Sequence, residues 1–212
     1  MENKKYKLTG ESIEVKGKTL YRIEALKDFC GIKKGDKGGF IESENNLAHD
    51  GDAWVSDDAC VYDNARVSGN AHVYGEAWVY GSACVYGDAC VYDYTRVCDN
   101  ARVCGNARVF GCACVYDNAH LCGNACVCGS TDVCGDAEIS SDADYIVFKN
   151  WWSSGRYFTW TRSNNMWSVG CFYGTGDELV KKAYKDSSKS GRQYERIVKY
   201  VEETLKDEEN GE

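Results

Sequence analysis

The 212-residue chain contains no proline, two methionines and three histidines. It also lacks any run of about 18 apolar residues, so the sequence predicts no helix that spans a bilayer. Its amino terminus has no apolar stretch typical of a signal peptide, and we therefore expect a cytoplasmic protein. Acidic residues outnumber basic ones by 33 to 25, which argues against direct binding to nucleic acid or to an anionic membrane.

A six-residue repeat fills the middle of the chain without an insertion. It runs through fifteen hexads over residues 55–144, and a degenerate unit at 49–54 precedes them. The first hexad position is Val in thirteen units and the fifth is Ala in thirteen. Because the fifth position and the next first position lie two residues apart, an extended strand points both side chains inward. The third position is Gly nine times and Asp five times, which supplies a corner that tolerates a positive φ.

These features predict a β-solenoid. Three hexads per coil place residues 18 apart above one another, and five coils then span about 24 Å at an interstrand spacing of ~4.8 Å. The repeat resembles that of the hexapeptide-repeat family, which implies a left-handed parallel β-helix. The entry segment GDKGGFIE (35–42), followed by Trp54 and Val55, resembles YdcK-like bacterial and prophage proteins. This second resemblance implies a bacterial host and a fold, and it implies no particular chemistry.

Two further segments flank the repeat. Residues 1–48 predict an N-terminal β cap, and residues 49–144 form the mainly β solenoid. Residues 145–212 predict a small, Trp-rich α+β domain with three strands and two helices. Such caps cover open strand edges that would otherwise pair with another chain. The C-terminal domain is also the surface through which we expect any homo-oligomer to form.

Stacking at 18-residue intervals predicts aromatic ladders on the outside of the solenoid. These rings could form an interface, since Tyr and Trp are enriched in interfaces. Alternatively, they stack on one another and stabilise a thin solenoid. The candidate partner-binding aromatic residues are Tyr62, Tyr74, Trp78, Tyr80, Tyr92, Phe110, Trp151 and Trp152.

The negative charge is concentrated in the repeat. Residues 49–144 carry fifteen acidic and four basic side chains, whereas the flanking segments are nearly neutral. A row of corner carboxylates could occupy a basic groove on another protein and exclude nucleic acid from it. Alternatively, Asp is simply a favourable corner residue that keeps the solenoid in solution. The candidate partner-binding carboxylates are Asp63, Asp99, Asp117 and Asp136.

Cysteine is abundant, but its pattern does not predict a disulfide framework. Eleven of the thirteen cysteines lie in the hexads outside the core positions, and the total is odd, so we expect reduced thiols. The Cys-x-Cys pairs at 112–114 and 126–128 lack a converging second pair, and no metal site is predicted. The histidines form no catalytic pattern, and the sequence contains neither a phosphate-binding loop nor a nucleophile elbow. We therefore predict no catalytic residue and no cofactor.

The leading hypothesis is a non-enzymatic interaction protein. Its partner would be a host protein or nucleoprotein complex. In its most specific form it is a phage or prophage counter-defence inhibitor, similar to anti-CRISPR proteins, that blocks the nucleic-acid groove of an immune nuclease. One alternative is an acyltransferase of the hexapeptide class, although no loop interrupts the hexads to carry an active site. Another is a structural protein that assembles with itself.

Overall fold

The computed structural model describes residues 4–211, apart from the side chains of residues 209 and 210. At the N-terminus, β1 (Tyr6–Val15) and β2 (Lys18–Ala25) form an antiparallel hairpin, and β3 (Lys37–Ile41) pairs antiparallel with β2. The hairpin turns at residues 16 and 17, which both have a positive φ, as a two-residue turn between twisted strands requires. The register of this hairpin shifts between residues 8 and 12 of β1.

Each hexad then contributes one two-residue strand, made of its sixth position and the first position of the next hexad. These strands are β4 (Trp54–Val55), β5 (Cys60–Val61), β6 (Arg66–Val67), β7 (His72–Val73), β8 (Trp78–Val79), β9 (Cys84–Val85), β10 (Cys90–Val91), β11 (Arg96–Val97), β12 (Arg102–Val103), β13 (Arg108–Val109), β14 (Cys114–Val115), β15 (His120–Leu121), β16 (Cys126–Val127), β17 (Asp132–Val133) and β18 (Glu138–Ile139).

The strands form three parallel sheets around a thin core, in a solenoid of about six coils. Sheet 1 continues from the N-terminal hairpin in the order β3-β5-β8-β11-β14-β17, sheet 2 runs β4-β7-β10-β13-β16, and sheet 3 runs β6-β9-β12-β15-β18. Paired residues are 18 apart, as Val61 opposite Val79 illustrates, which confirms three hexads per coil. β3 and a backbone bridge from Leu47 to Val67 add a coil that begins within the segment expected to be the cap.

The core consists of the first and fifth hexad positions, which are almost completely buried. The third positions turn the corners with a positive φ, at every Gly and at all five Asp residues that occupy them. Gly87 shows why glycine is common here, since a Cβ on it would lie 2.9 Å from the backbone nitrogen of Gly105 in the next coil.

The backbone hydrogen bonds between coils all point the same way along the solenoid. Side chains of the N-terminal cap complement the backbone groups at the N-terminal end, which we call the lower end. Each coil donates its N–H groups to the carbonyl groups of the next coil, so the lower end presents carbonyl oxygens. The Nζ of Lys5 donates to Ala53 O (2.7 Å) and Gly51 O (3.2 Å), and Nδ2 of Asn46 donates to Ala65 O (2.9 Å). Lys5 is completely buried, and this burial lowers its pKa to about 8.

The upper end presents N–H groups, and there the C-terminal cap supplies acceptors. Oδ1 of Asp142 accepts from the Cys126 amide (3.1 Å), and Oγ of Ser163 accepts from the Glu138 amide (2.7 Å). Donor side chains at one end and acceptor side chains at the other satisfy backbone groups that would be costly to bury unpaired.

The C-terminal domain contains the antiparallel sheet β19 (Tyr145–Lys149), β20 (Tyr157–Thr161), β21 (Met166–Val169) and β22 (Phe172–Gly174), followed by the helices α1 (Gly176–Asp186) and α2 (Ser188–Asn210). The sequence predicts three strands rather than four, because the turn at Gly170, where φ is 58°, lies within one apolar segment. Trp160 and Trp167 pack with α1 and α2 in a core of their own. Neither helix of the described chain is long and apolar enough to cross a membrane.

Candidate interaction face

One of the predicted aromatic ladders lies open along sheet 2. Tyr74, Tyr92 and Phe110 each occupy the second hexad position, directly after β7, β10 and β13. Their ring centroids are 4.8 Å and 5.0 Å apart, and the ring planes differ by 2° and 4°. In-register pairing of the strands beneath them imposes this stack, and each ring remains half-buried. The structure therefore confirms the stacking that the 18-residue spacing predicts.

Exposed polar groups border this ladder at the corner that follows sheet 2. Tyr94 is 61% exposed, and the side chains of Glu76 and Asp93 are exposed beside it. Asp93 holds the corner through one carboxylate oxygen, Oδ2, which accepts from the Gly111 amide at 3.1 Å. We call Tyr74, Tyr92, Tyr94 and Phe110, with Glu76 and Asp93, the aromatic face.

A cation lies at the upper end of the aromatic face. Arg108 projects from β13, and the neighbouring Tyr92 hydroxyl raises the pKa of its guanidinium. Burial raises the pKa of the Tyr74 hydroxyl, so that group is neutral near pH 7. The aromatic face therefore combines flat rings and a neutral hydroxyl with carboxylates on one side, and the guanidinium of Arg108 borders it on the other side.

The second predicted aromatic set, on sheet 1, is covered by the N-terminal hairpin. Tyr62 stacks on Tyr80 with centroids 5.2 Å apart, yet it is only 1% exposed because Val15 and Leu20 pack over it. Tyr80 is half-buried, and the Nζ of Lys16 lies 4.4 Å from the centre of its ring. Tyr62 is therefore part of a hydrophobic cluster and is not available to a partner.

Trp78 packs against the same cluster, where its ring meets Tyr62 edge to face, and it is only partly buried. The two tryptophans proposed in the C-terminal domain differ from each other. Trp152 is 7% exposed and packs edge to face against Tyr194 and Phe158, so it belongs to the domain core. Trp151 is 73% exposed and remains open to contact.

The predicted carboxylate row lies at a different corner, between sheets 1 and 3. Three of its members have a positive φ and accept a backbone N–H from the coil above. Asp63 accepts from Gly81 (3.1 Å) and Asp117 from Gly135 (3.1 Å), and Asp99 accepts from the amide of Asp117 (3.4 Å). The structural role of these aspartates is thus observed, whereas contact with a partner stays a prediction.

Two members of the row have additional partners. The Nζ of Lys18 lies 2.6 Å from Oδ1 of Asp63, and this hydrogen bond lowers the pKa of Asp63. Asp136 is exposed and accepts from Nδ2 of Asn118 at 2.9 Å. The row is therefore less available than its charge suggests, and it does not adjoin the aromatic face.

The coils that carry these side chains match a known repeat. Residues 59–75, 65–81 and 101–117 match the family described as YdcK Beta solenoid repeat. The chain is a β-solenoid repeat protein, and its repeats match the YdcK type over these stretches. No curated protein matches it.

Two residues at the aromatic face, Tyr94 and Arg108, were not predicted from the sequence. Tyr94 occupies a fourth hexad position, where Asn or Asp is usual, and that exception is the signal that could have identified it. Arg108 lies at a sixth position in the same column as β10 and β7, so the 18-residue spacing also places it beside the ladder.

Over residues 4–211, no cluster of three or more His, Cys, Asp or Glu side chains is arranged to hold a metal ion.

Proposed function

We propose that this chain is a non-enzymatic binding protein whose aromatic face docks on a basic protein surface of its host. The observation that carries the proposal is the continuous stack of Tyr74, Tyr92 and Phe110 beside exposed carboxylates. Lys and Arg side chains stack on aromatic rings and pair with carboxylates, so a basic surface complements both halves of the face.

The solenoid holds the aromatic rings in a fixed arrangement before a partner binds. Its strands are fixed by in-register pairing with their neighbours, so the rings are held at one spacing before a partner arrives. Little side-chain entropy is then lost on binding, which leaves more of the contact energy as affinity. Each cation–π contact contributes about 0.5–2 kcal/mol, depending on how far it is desolvated.

The finer form of the proposal concerns the biological setting. A partner that itself binds nucleic acid would present the basic groove that this face fits, and an acidic solenoid in that groove would exclude the nucleic acid. A cytoplasmic phage or prophage inhibitor of a host immune nuclease is the most specific version. The resemblance to YdcK-like bacterial and prophage proteins and the acidic repeat support it.

The test is a quantitative pull-down from nuclease-treated bacterial lysate, comparing the wild-type chain with Glu76→Gln/Asp93→Asn. These changes remove two charges, and the asparagine introduced at position 93 keeps a side-chain oxygen that can accept from the Gly111 amide. We expect recovery of the true partner to fall at least about tenfold, since each desolvated charge pair is worth on the order of 1 kcal/mol. Raising the salt to about 0.5 M should weaken the wild-type complex as well.

The matched control is Asp88→Asn/Asp136→Asn, which removes two charges from the other two corners, one of them from the predicted carboxylate row, and so separates the aromatic face from that row. Both carboxylates accept a hydrogen bond from the side-chain amide of a neighbouring asparagine, and the substituted asparagine preserves that acceptor. The proposal fails if no protein is captured in a manner that depends on the aromatic face. It also fails if the control reduces recovery as much as the change at the face.

A further inference from the structure

A cavity on sheet 3 lies on a different side of the solenoid from the aromatic face. It has a volume of about 440 Å³ and opens where residues 44–49 cross the lower end of the sheet. Its wall on the solenoid side contains Arg66, Cys84, Tyr86 and Arg102. A cavity of this size suits a small molecule.

The two arginines are aligned by strand pairing. Arg66 lies opposite Cys84, and Cys84 lies opposite Arg102, so the arginines are two coils apart on one wall. At ~4.8 Å per coil their backbones are about 10 Å apart, which two long side chains can bridge. Both side chains are exposed. They can therefore reach one elongated ligand together.

The carboxylate on the opposite wall does not neutralise them. Glu44 accepts two hydrogen bonds from the Nζ of Lys4, at 2.7 Å and 2.9 Å, and it lies 3.6 Å from Nε2 of His49. The hydrogen bond from Lys4 lowers the pKa of Glu44, which is therefore ionised and paired.

Within residues 4–211, neither Arg66 nor Arg102 forms an ion pair. Arg96 and Arg108, the other two arginines of the repeat, form no ion pair within these residues either, so what distinguishes Arg66 and Arg102 is that they line one cavity. Two uncompensated guanidinium groups on the wall of one cavity make it a local positive site on an acidic surface.

We propose that this cavity binds a small oligophosphate, either free or as the phosphate chain of a nucleotide. Guanidinium groups bind phosphate oxygens in a bidentate manner, and two of them along one wall match an extended chain of anionic groups. Tyr86 lies between the arginines along the solenoid and offers its hydroxyl as a further donor. The neighbouring Cys104 raises the pKa of that hydroxyl, so it keeps its proton near pH 7.

The test is isothermal titration calorimetry with tripolyphosphate and with ATP, in buffer of about 50 mM salt without a divalent metal. We expect saturable binding of tripolyphosphate, ATP or both with Kd below about 1 mM, and at least tenfold weaker binding by Arg66→Gln and by Arg102→Gln. Equal affinity for the two probes identifies the phosphate chain as the ligand, and tighter binding of ATP shows that the cavity also holds the nucleoside. Either result supports the proposal.

The matched control is Arg96→Gln, which removes the same charge from the same hexad position on sheet 1. Thermal unfolding followed by circular dichroism verifies that all three variants are folded. Absence of binding by both probes up to about 5 mM would overturn the proposal. Equal weakening by the control would overturn it too, because it would show attraction to the whole surface instead of binding in the cavity.

Discussion

The tight junction between the first two coils makes Gly39→Ala a demanding test of the fold. Gly39 lies in β3, and a Cβ on it would be 2.6 Å from Ala59 O and 2.7 Å from Cγ1 of Val55. Ala59 O also accepts the amide of Phe40 at 2.8 Å, so the coil cannot retreat without stretching this bond. The nearest atom is backbone, and a shift of about 0.8 Å would be needed to reach ordinary contact near 3.4 Å.

The expected cost follows from two terms. Overpacking of a well-packed core costs about 1–3 kcal/mol, and a weakened backbone hydrogen bond adds about 1 kcal/mol. A loss of roughly 2–4 kcal/mol should lower Tm by about 5–15 °C in a chain of this size. Gly10→Ala is the matched control, because a Cβ there has nothing within 4 Å and its φ is not positive.

Circular dichroism gives Tm, and hydrogen exchange at the Phe40 amide reports on the first coil itself. Both are needed because a solenoid can open coil by coil. We expect Gly39→Ala to lower Tm and accelerate exchange at Phe40, with Gly10→Ala within about 0.5 kcal/mol of wild type or slightly more stable. A Gly39→Ala protein that melts within about 2 °C of wild type, with unchanged exchange, would refute the close packing described here.

Two further predictions concern the thiols. Burial raises the pKa of Cys60 to about 11, so its contribution to stability is present below about pH 9 and is lost as the pH rises to about 11. Between pH 8 and 10, the unfolding free energy of Cys60→Ala should therefore fall by about 1.4 kcal/mol less than that of wild type, as measured by urea titration. The control Cys171→Ala should show the same fall as wild type. The Sγ of Cys104 lies 3.4 Å from Nε2 of His120, and we expect this contact to speed alkylation of the thiol, so that iodoacetamide reacts with Cys104 about tenfold more slowly in His120→Gln, as read by mass spectrometry. Equal slopes in the first experiment, or an equal loss of rate in the control His72→Gln in the second, would contradict these accounts.

The repeat could be predicted because its rules are local. Alternating inward Val and Ala, with a corner residue between them, specifies the coil, and in-register pairing then stacks Tyr74 on Tyr92. The same 18-residue spacing places Arg66 and Arg102 in one column, so the sequence alone is sufficient to align that pair.

The covered residues could not be predicted in this way. Tyr62 and Tyr74 occupy the same hexad position, and the packing of Val15 and Leu20 from the hairpin makes Tyr62 buried. Trp152 likewise depends on Tyr194, which is 42 residues further along the chain. These contacts join aperiodic segments to the repeat, and no local pattern encodes them.

The central claim is that the aromatic face contacts a basic protein partner. Site-specific photo-crosslinking tests it most directly, with p-benzoylphenylalanine in place of Tyr94 and, as the control, in place of Tyr200, which is 59% exposed on α2. The account predicts that position 94 crosslinks to the partner from the pull-down, within a segment rich in Lys and Arg, and that position 200 does not. Crosslinking from position 200 with none from position 94 would contradict it.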